Sequence, residues 1–249
     1  MSGHNKWSTI KRKKGALDAK RSKIFSRIIK EITVAVKEGG SDPEGNARLR
    51  TAISNAKGAN MPKDTLLRAI NKAESEGDNL HELTFEGYGP DGVGIFIECL
   101  TDNNNRTVSF IRSIFTKRGG SLGTNGSLSF LFDRKGVFTL PKVDIEQDEL
   151  ELELIDAGAE EIEVNDDSFV VYTAMEDFGR MQKKLEEMNI EPENSSLQRI
   201  PNDYKNLEVN SALKVLRLID DFEDNDDVQN VYHNIEMTDE LANAMEENS

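Results

Sequence analysis

The chain has 249 residues, of which 37% are hydrophobic and 31% are charged, and its formal net charge is −15. This composition is typical of two or three globular domains, and no apolar run of about eighteen residues offers a membrane span. A single cysteine, Cys99, excludes a disulfide framework, and the N-terminus has no apolar signal region, so we expect a cytoplasmic protein without membrane attachment.

The charge is strongly segregated along the chain. Residues 1–72 contain 17 Lys and Arg against 6 Asp and Glu, a balance of +11. Residues 73–249 contain 14 basic and 40 acidic residues, a balance of −26. Such segregation is typical of a polyanion-binding end joined to acidic partner domains.

The basic end has the periodicity of helices. Residues 15–38 predict one amphipathic helix that ends at Gly39-Gly40, and shorter helices are predicted at 44–57 and after Pro62. Together they predict a three-helix domain over residues 1–79. In the first helix, basic residues form a stripe roughly opposite the apolar face, and both sets recur at helical spacing: Lys20, Lys23, Arg27 and Lys30 against Ile24, Phe25, Ile28, Ile29, Ile32, Ala35 and Val36.

Strands and helices alternate after a polar linker at 74–79. From Gly136 the predicted order is βαββαβ, the ferredoxin-like unit. The elements outside this unit are strands at 93–100 and 128–132, a helix at 107–117, a helix at 207–222 and a strand at 228–236.

The last two elements are surplus to the ferredoxin-like unit and would complete the set that begins at residue 80. We therefore predict an α+β fold in which the N-terminal three-helix domain is followed by two α/β sandwich-type domains. The second would comprise residues 80–133 plus 204–240. The third, residues 134–203, would be ferredoxin-like and inserted into the second.

Two glycine-rich segments resemble cofactor motifs without fulfilling them. Gly87–Gly92 matches G-x-G-x-x-G, but an apolar strand rather than a helix follows it, so we predict a turn between strands. Gly119–Gly126 lacks the Gly-Lys-Ser/Thr ending of a phosphate-binding loop. Its glycines would still leave main-chain N–H groups accessible to a ligand backbone.

The sequence predicts no catalytic residue, no metal site and no cofactor. Its three histidines, His4, His81 and His233, are scattered, and one cysteine cannot build a thiolate metal site. The acidic clusters Asp144–Glu153 and Asp220–Asp227 leave a weak Mg²⁺ site open, and with it a metal-dependent enzyme that uses Asp144 or Asp148.

The opening segment is the strongest candidate for nucleic-acid contact. Cations there supply phosphate affinity by releasing counterions, and Trp7 and His4 are able to stack on an unpaired base. A second polar and basic patch, Asn103–Arg106 with Lys117 and Arg118, either extends this surface or forms an ordinary turn and helix end. The predicted contact residues are His4, Lys6, Trp7, Lys11, Arg12, Lys13, Lys14, Lys20, Arg21, Lys23, Arg27, Lys30, Arg106, Lys117 and Arg118.

Long segments from one end of the chain to the other resemble the YebC/PmpR family, whose mitochondrial relatives are translational activators of cytochrome c oxidase subunit I. Asn5 departs from the more usual serine. The resemblance implies the three-domain, inserted arrangement. It also implies either a transcriptional regulator that binds DNA or a ribosome-associated factor that relieves stalling on proline runs. The matching segments are 3–7, 11–25, 46–73, 86–90, 98–102, 105–107, 119–127 and 227–234.

Residues and resemblance together predict a non-enzymatic, nucleic-acid-binding regulator of gene expression. Its target would be promoter DNA, or ribosomal RNA or tRNA on the ribosome. No helix-turn-helix reader is evident, which favours recognition of shape and backbone. The acidic second and third domains would position the protein or contact a protein partner. Besides the metal-dependent enzyme, a protein-only scaffold stays open as an alternative.

Overall fold

The computed structural model describes residues 17–76, 79–143 and 145–247. Three helices come first, α1 (Leu17–Gly39), α2 (Ala47–Gly58) and α3 (Lys63–Glu76). The elements that follow are β1 (His81–Tyr88), β2 (Gly94–Thr101), α4 (Asn104–Lys117), β3 (Ser121–Leu122), β4 (Phe132–Pro141), α5 (Gln147–Asp156), β5 (Ala159–Val164), β6 (Ser168–Ala174), α6 (Phe178–Glu187), β7 (Asn194–Pro201), α7 (Val209–Glu223), β8 (Val228–His233) and α8 (Asp239–Glu247).

The residues form two compact units. One unit contains residues 24–77 and 134–199. The other contains residues 78–133 and 200–249, together with residues 17–23. Residues 134–199 therefore separate the two main stretches of the other unit, as an inserted domain requires.

Asn46 fixes the connection between the first two helices. Helix α1 ends at Gly39, and Gly40 takes a φ of 84°, the left-handed conformation that terminates helices. The buried Asn46 amide then donates to the carbonyl oxygens of Ala35 (2.7 Å) and Gly40 (2.8 Å), while its Oδ1 accepts the N–H of Leu49 at 3.0 Å. One side chain thus satisfies the end of α1 and the start of α2.

The three helices share one apolar core. It combines the inner faces of α2 and α3 with most of the predicted inner face of α1, in agreement with their periodicity. Its buried members are Ile32, Ala35, Val36, Leu49, Ala52, Ala56, Met61, Leu66, Ala69 and Ala73. Ile24, which was predicted on the inner face of α1, is instead 47% exposed.

The first sheet is antiparallel with strand order β3-β1-β2-β8. Strand β2 is central: Ile97 pairs with Phe85 on one side and with Val231 on the other. Helices α4 and α7 supply much of its core, where the rings of Phe115 and Phe222 lie 4.8 Å apart. Because β8 pairs with β2, the end of the chain completes a sheet that the segment before residue 133 began.

The second sheet has strand order β5-β6-β4-β7, which is the ferredoxin-like order. Helices α5 and α6 contribute to its core through Leu150, Leu154, Met181 and Leu185. In the same unit, α2 is bound to β7, since Asn55 accepts the N–H of Ser195 at 2.7 Å and donates to its carbonyl at 2.8 Å.

The predicted fold class is confirmed, including the ferredoxin-like unit between two parts of the other sheet. The predicted strand at 128–132 is wrong: residues 124–131 form turns and β4 begins at Phe132. Leu128 and Leu131 are buried beside Phe96 and Tyr232, so their apolar pattern reflects a packed turn. The domain boundaries 1–79, 80–133 plus 204–240 and 134–203 stay a prediction.

Candidate nucleic-acid interface

The strongest predicted contact residues precede the described chain. They lie in the opening segment. The side chain of Lys20 is also outside the described residues. Their phosphate-binding role therefore stays a prediction: His4, Lys6, Trp7, Lys11, Arg12, Lys13 and Lys14.

The basic stripe of α1 is only partly open to solvent. Arg21 is exposed, whereas Lys23, Arg27 and Lys30 are half-buried. Lys23 forms an ion pair with Asp224 at 3.1 Å. Helical spacing correctly puts these cations away from Ile32 and its buried neighbours, but it does not distinguish an exposed side chain from one that the fold partly covers.

Arg106 is engaged by two carboxylates. Its Nη2 donates to Asp227 at 2.8 Å and to Asp102 at 2.7 Å. Hydrogen bonds to Asp227 and then to Asp102 raise the pKa of Arg106 above its ordinary value. The same oxygen of Asp227 accepts from the hydroxyls of Thr101 (3.1 Å) and Thr107 (2.9 Å). This arrangement ties the start of β8 to the end of β2 and the start of α4.

Arg118 is likewise paired. Its Nε and Nη2 donate to the two oxygens of Asp221 at 2.7 and 3.0 Å, a bidentate geometry. These hydrogen bonds lower the pKa of Asp221 and raise that of Arg118. Lys117 beside it is exposed. The predicted second patch therefore contains two arginines with compensated charge and one exposed lysine.

The glycine-rich loop is held by a buried glutamate. One oxygen of Glu86 accepts the N–H of Gly126 at 2.7 Å, and the other accepts that of Leu128 at 2.6 Å. The Glu86 carbonyl accepts the N–H of Gly123 at 2.7 Å. The N–H groups of Gly123 and Gly126, which were predicted to be accessible to a ligand, are therefore used inside the protein, as is that of Leu128 just beyond the segment.

The other glycine motif is a turn, as predicted. Strand β1 ends at Tyr88, one turn of 3₁₀ helix covers Pro90–Gly92, and antiparallel β2 begins at Gly94. The N–H of Gly94 donates to Oδ1 of Asn234 at 2.9 Å. This geometry lacks the strand-to-helix turn that a dinucleotide pyrophosphate needs.

The acidic clusters do not assemble a metal centre in the part of the chain that is described. No group of three or more His, Cys, Asp or Glu side chains there is arranged to hold a metal ion. Asp148 is exposed on α5, and Asp144 is outside the described residues.

Sequence reasoning missed four exposed cations on α2 and α3, of which the first also forms an ion pair with Glu191 at 3.5 Å: Lys57, Lys63, Arg68 and Lys72. Lys57 and Lys63 border a groove of about 630 Å³ whose apolar wall includes Ile53, Leu67 and Ile70. Arg68 and Lys72 are one turn apart on α3 and follow Asp64 at the same spacing. The sequence alone shows this four-residue spacing, but it does not show that these side chains are exposed.

Comparison with known proteins identifies the family. The description TACO1/YebC protein N-terminal domain matches residues 5–76, and TACO1/YebC second and third domain matches residues 80–235. The chain belongs to the TACO1/YebC family.

TACO1/YebC relatives match this chain over nearly its whole length. A probable transcriptional regulatory protein of Geobacter sp. (strain M21) is 52% identical over 247 residues, which is 98% of this chain and 100% of that relative. One from Chlorobaculum parvum is 48% identical over 250 residues, with 99% and 100% covered. The family to which the chain belongs is thus one of probable transcriptional regulatory proteins.

A solved structure also has the TACO1/YebC fold seen here. The conserved hypothetical protein Aq1575 from Aquifex aeolicus is 40% identical, with a TM-score of 0.81 over 91% of this chain and 94% of that one. Among the described residues, no helix is long and apolar enough to cross a membrane.

Five of the segments that carry the resemblance to the TACO1/YebC family meet inside one unit: 86–90, 98–102, 105–107, 119–127 and 227–234. Residues 86–90 hold residues 119–127 through Glu86, and residues 227–234 reach 98–107 through Asp227. Asn234 also holds the start of β2. These five family segments therefore have a structural explanation, whereas the basic opening segment lies outside the described residues.

Proposed function

We propose that this chain is a non-enzymatic regulator of gene expression that binds nucleic acid through its basic N-terminal region. The segregation of charge carries the proposal: +11 over residues 1–72 against −26 over the remainder. Phosphate affinity comes from cations that release counterions, and a −26 region repels the same ligand. The family names, probable transcriptional regulatory proteins, support the regulatory role.

The structure supports extending the contact surface beyond the opening segment. Lys57, Lys63, Arg68 and Lys72 are exposed on the two consecutive helices α2 and α3. Shape and backbone recognition needs cations at several positions rather than one reading helix. We therefore propose that the exposed cations of α2 and α3, like those of the opening segment, contact phosphates.

The proposed target is either promoter DNA or structured RNA of the translation apparatus, and the proposed location is the cytoplasm. The lone cysteine, Cys99, is buried, which fits a reducing compartment. Crosslinking in growing cells, followed by sequencing, distinguishes the targets. If ribosomal RNA is recovered with the wild type but not with a variant that lacks residues 1–14, the protein is a translation factor. If discrete promoter DNA is recovered instead, it is a transcriptional regulator.

A charge-matched pair of variants tests the binding itself. The first variant replaces Lys11, Arg12, Lys13 and Lys14 by Ala. The control replaces four exposed cations outside the basic region, Arg112, Lys183, Lys214 and Arg217, by Ala. Each variant removes the same charge, so a nonspecific effect of net charge weakens both equally.

We expect the first variant to lose about a hundredfold in affinity for duplex DNA or structured RNA at physiological salt, and the control to lose little. The slope of log affinity against log salt should fall by about 3 to 4 in the first variant alone. Equal affinities for the wild type and the first variant would refute the proposed site.

A further inference from the structure

One stretch of the ferredoxin-like unit is unusually acidic and also exposes apolar side chains. Residues 143–179 contain 14 Asp and Glu and no Lys, Arg or His. Seven large hydrophobic side chains are exposed among the described residues, and four of them are here: Leu152, Ile155, Val164 and Met175. Single exposed apolar residues are ordinary, so the question is whether any two form one surface.

Two of the exposed apolar side chains lie on the same side of helix α5. Leu150 and Leu154 are completely buried, and Ala157 just after the helix is buried as well. At about 100° per residue, Leu152 is directed almost opposite this buried side, and Ile155 is three residues further on the same outer side. Leu152 is 66% exposed and Ile155 is 55% exposed. The helix therefore has a second apolar side that its own core does not use.

Carboxylates surround these two side chains. Asp148, Glu149 and Asp156 are exposed and share the outer side of α5 with Leu152 and Ile155. We call these five residues the α5 outer face. Glu153 is outside this set, because it forms an ion pair with Lys184. Asp156 stays in the set: its charge helps to raise the pKa of Lys184, but no ion pair joins the two among the described residues. The helix itself carries no basic residue.

We propose that the α5 outer face docks a basic amphipathic helix of a protein partner. Charge complementarity selects the partner: three exposed carboxylates favour lysine and arginine and repel nucleic-acid phosphates. Leu152 and Ile155 select its shape, because two apolar side chains one turn apart match apolar residues at helical spacing on a partner helix. Solvation of an acidic surface does not explain why leucine and isoleucine side chains are exposed at its centre.

The test uses the full chain and defined peptides. The probe is a fluorescein-labelled peptide of about eighteen residues, long enough to form a helix, with lysines on one side and leucines on the other. A second peptide keeps the lysines and replaces every leucine by alanine. Fluorescence anisotropy gives the affinity of each peptide for the wild type, for the Leu152→Ser/Ile155→Ser variant and for a Leu67→Ser/Phe130→Ser control, which removes two exposed apolar side chains elsewhere.

The wild type and the control should bind the leucine peptide about tenfold more tightly than the alanine peptide. The Leu152→Ser/Ile155→Ser variant should bind both peptides alike, with its circular dichroism unchanged because both residues are on the surface. Chemical-shift changes in the wild type should concentrate on residues 147–156.

Three results would overturn the proposal. The first is equal affinity of the wild type for both peptides. The second is a leucine preference that survives in the Leu152→Ser/Ile155→Ser variant. The third is a wild-type dimer that this variant converts to a monomer, since a second copy would then be the occupant of the face.

Discussion

Cations are used differently in the two ends of this chain. On α2 and α3, Lys57, Lys63, Arg68 and Lys72 point into solvent. Beyond residue 79, Arg106 and Arg118 instead hold Asp227 and Asp221 in short hydrogen bonds. The contrast concerns these particular cations, because Arg48 of the first region also pairs with Glu31, and Arg112 and Lys214 of the second region are exposed.

The carboxylates of the two regions also differ in their exposure and their contacts. In the acidic remainder, Glu86 and Asp227 are both 5% exposed, and each accepts hydrogen bonds from segments distant in sequence. In α3, Asp64 is exposed. The comparison teaches that the acidic remainder uses several of its charges for folding, whereas the basic end keeps more of its charges for a ligand. Four predictions test this division.

Replacing Glu86 by Ala should have the largest effect. The variant leaves the N–H groups of Gly126 and Leu128 without their acceptor, so we expect a loss of about 3 kcal/mol in the free energy of unfolding. Urea unfolding monitored by circular dichroism measures it. Glu82→Ala, an exposed glutamate on the same strand, is the matched control and should cost little. Equal losses in the two variants would show that the loop does not depend on the carboxylate.

Replacing Asp227 by Asn should cost about 2 kcal/mol in the free energy of unfolding, because the amide retains the shape but loses the charge that accepts from Arg106, Thr101 and Thr107. Asp203→Asn, an exposed aspartate, serves as the control. Nucleic-acid affinity should be unchanged in both variants. A fall in affinity without a fall in stability would mean that this cluster contacts the ligand directly.

Periodicity and element order were enough to predict most of the fold. The apolar side of α1 and the βαββαβ order were readable, because each depends on local spacing that core packing preserves. The turn at 124–131 could not be predicted, because Leu128 and Leu131 are buried just as strand residues would be. Only their long-range contacts with Phe96 and Tyr232 distinguish this packed turn from a strand. Strand β1 was implied only by the predicted turn between strands and was given no bounds, because its first half is largely exposed.

The candidate site was less predictable than the fold. Residue type indicated that Arg106 and Arg118 are basic, but their partners Asp227 and Asp221 are more than one hundred residues away along the chain. Glu86 lies in a segment that resembles the family, but the sequence did not predict its role, because that role depends on the backbone of a loop forty residues later. Exposure of Lys63 and Lys72 likewise follows only from how α3 packs.

Replacing Lys63, Arg68 and Lys72 by Ala should weaken nucleic-acid binding about tenfold at physiological salt and lower the salt slope by about 2 to 3. The unfolding free energy should change little, because all three side chains are exposed. The charge-matched control replaces Arg112, Lys214 and Arg217 by Ala. If the control weakens binding as much, total charge rather than this helix governs affinity.

The smallest effect is expected at Asp221. Hydrogen bonds from Arg118 hold the pKa of Asp221 below its ordinary value, so the pair contributes stability that is present above the unfolded aspartate pKa of about 3.9 and lost as pH falls through the lower, folded value. In Arg118→Met the pKa of Asp221, followed by carboxyl-carbon NMR, should rise, and acid unfolding should begin at a higher pH. Arg112→Met should leave both unchanged. If Arg118→Met instead weakened nucleic-acid binding while Asp221 titrated as before, Arg118 would belong with the exposed cations of the basic end, and the division of charge between the two regions would not hold at this position.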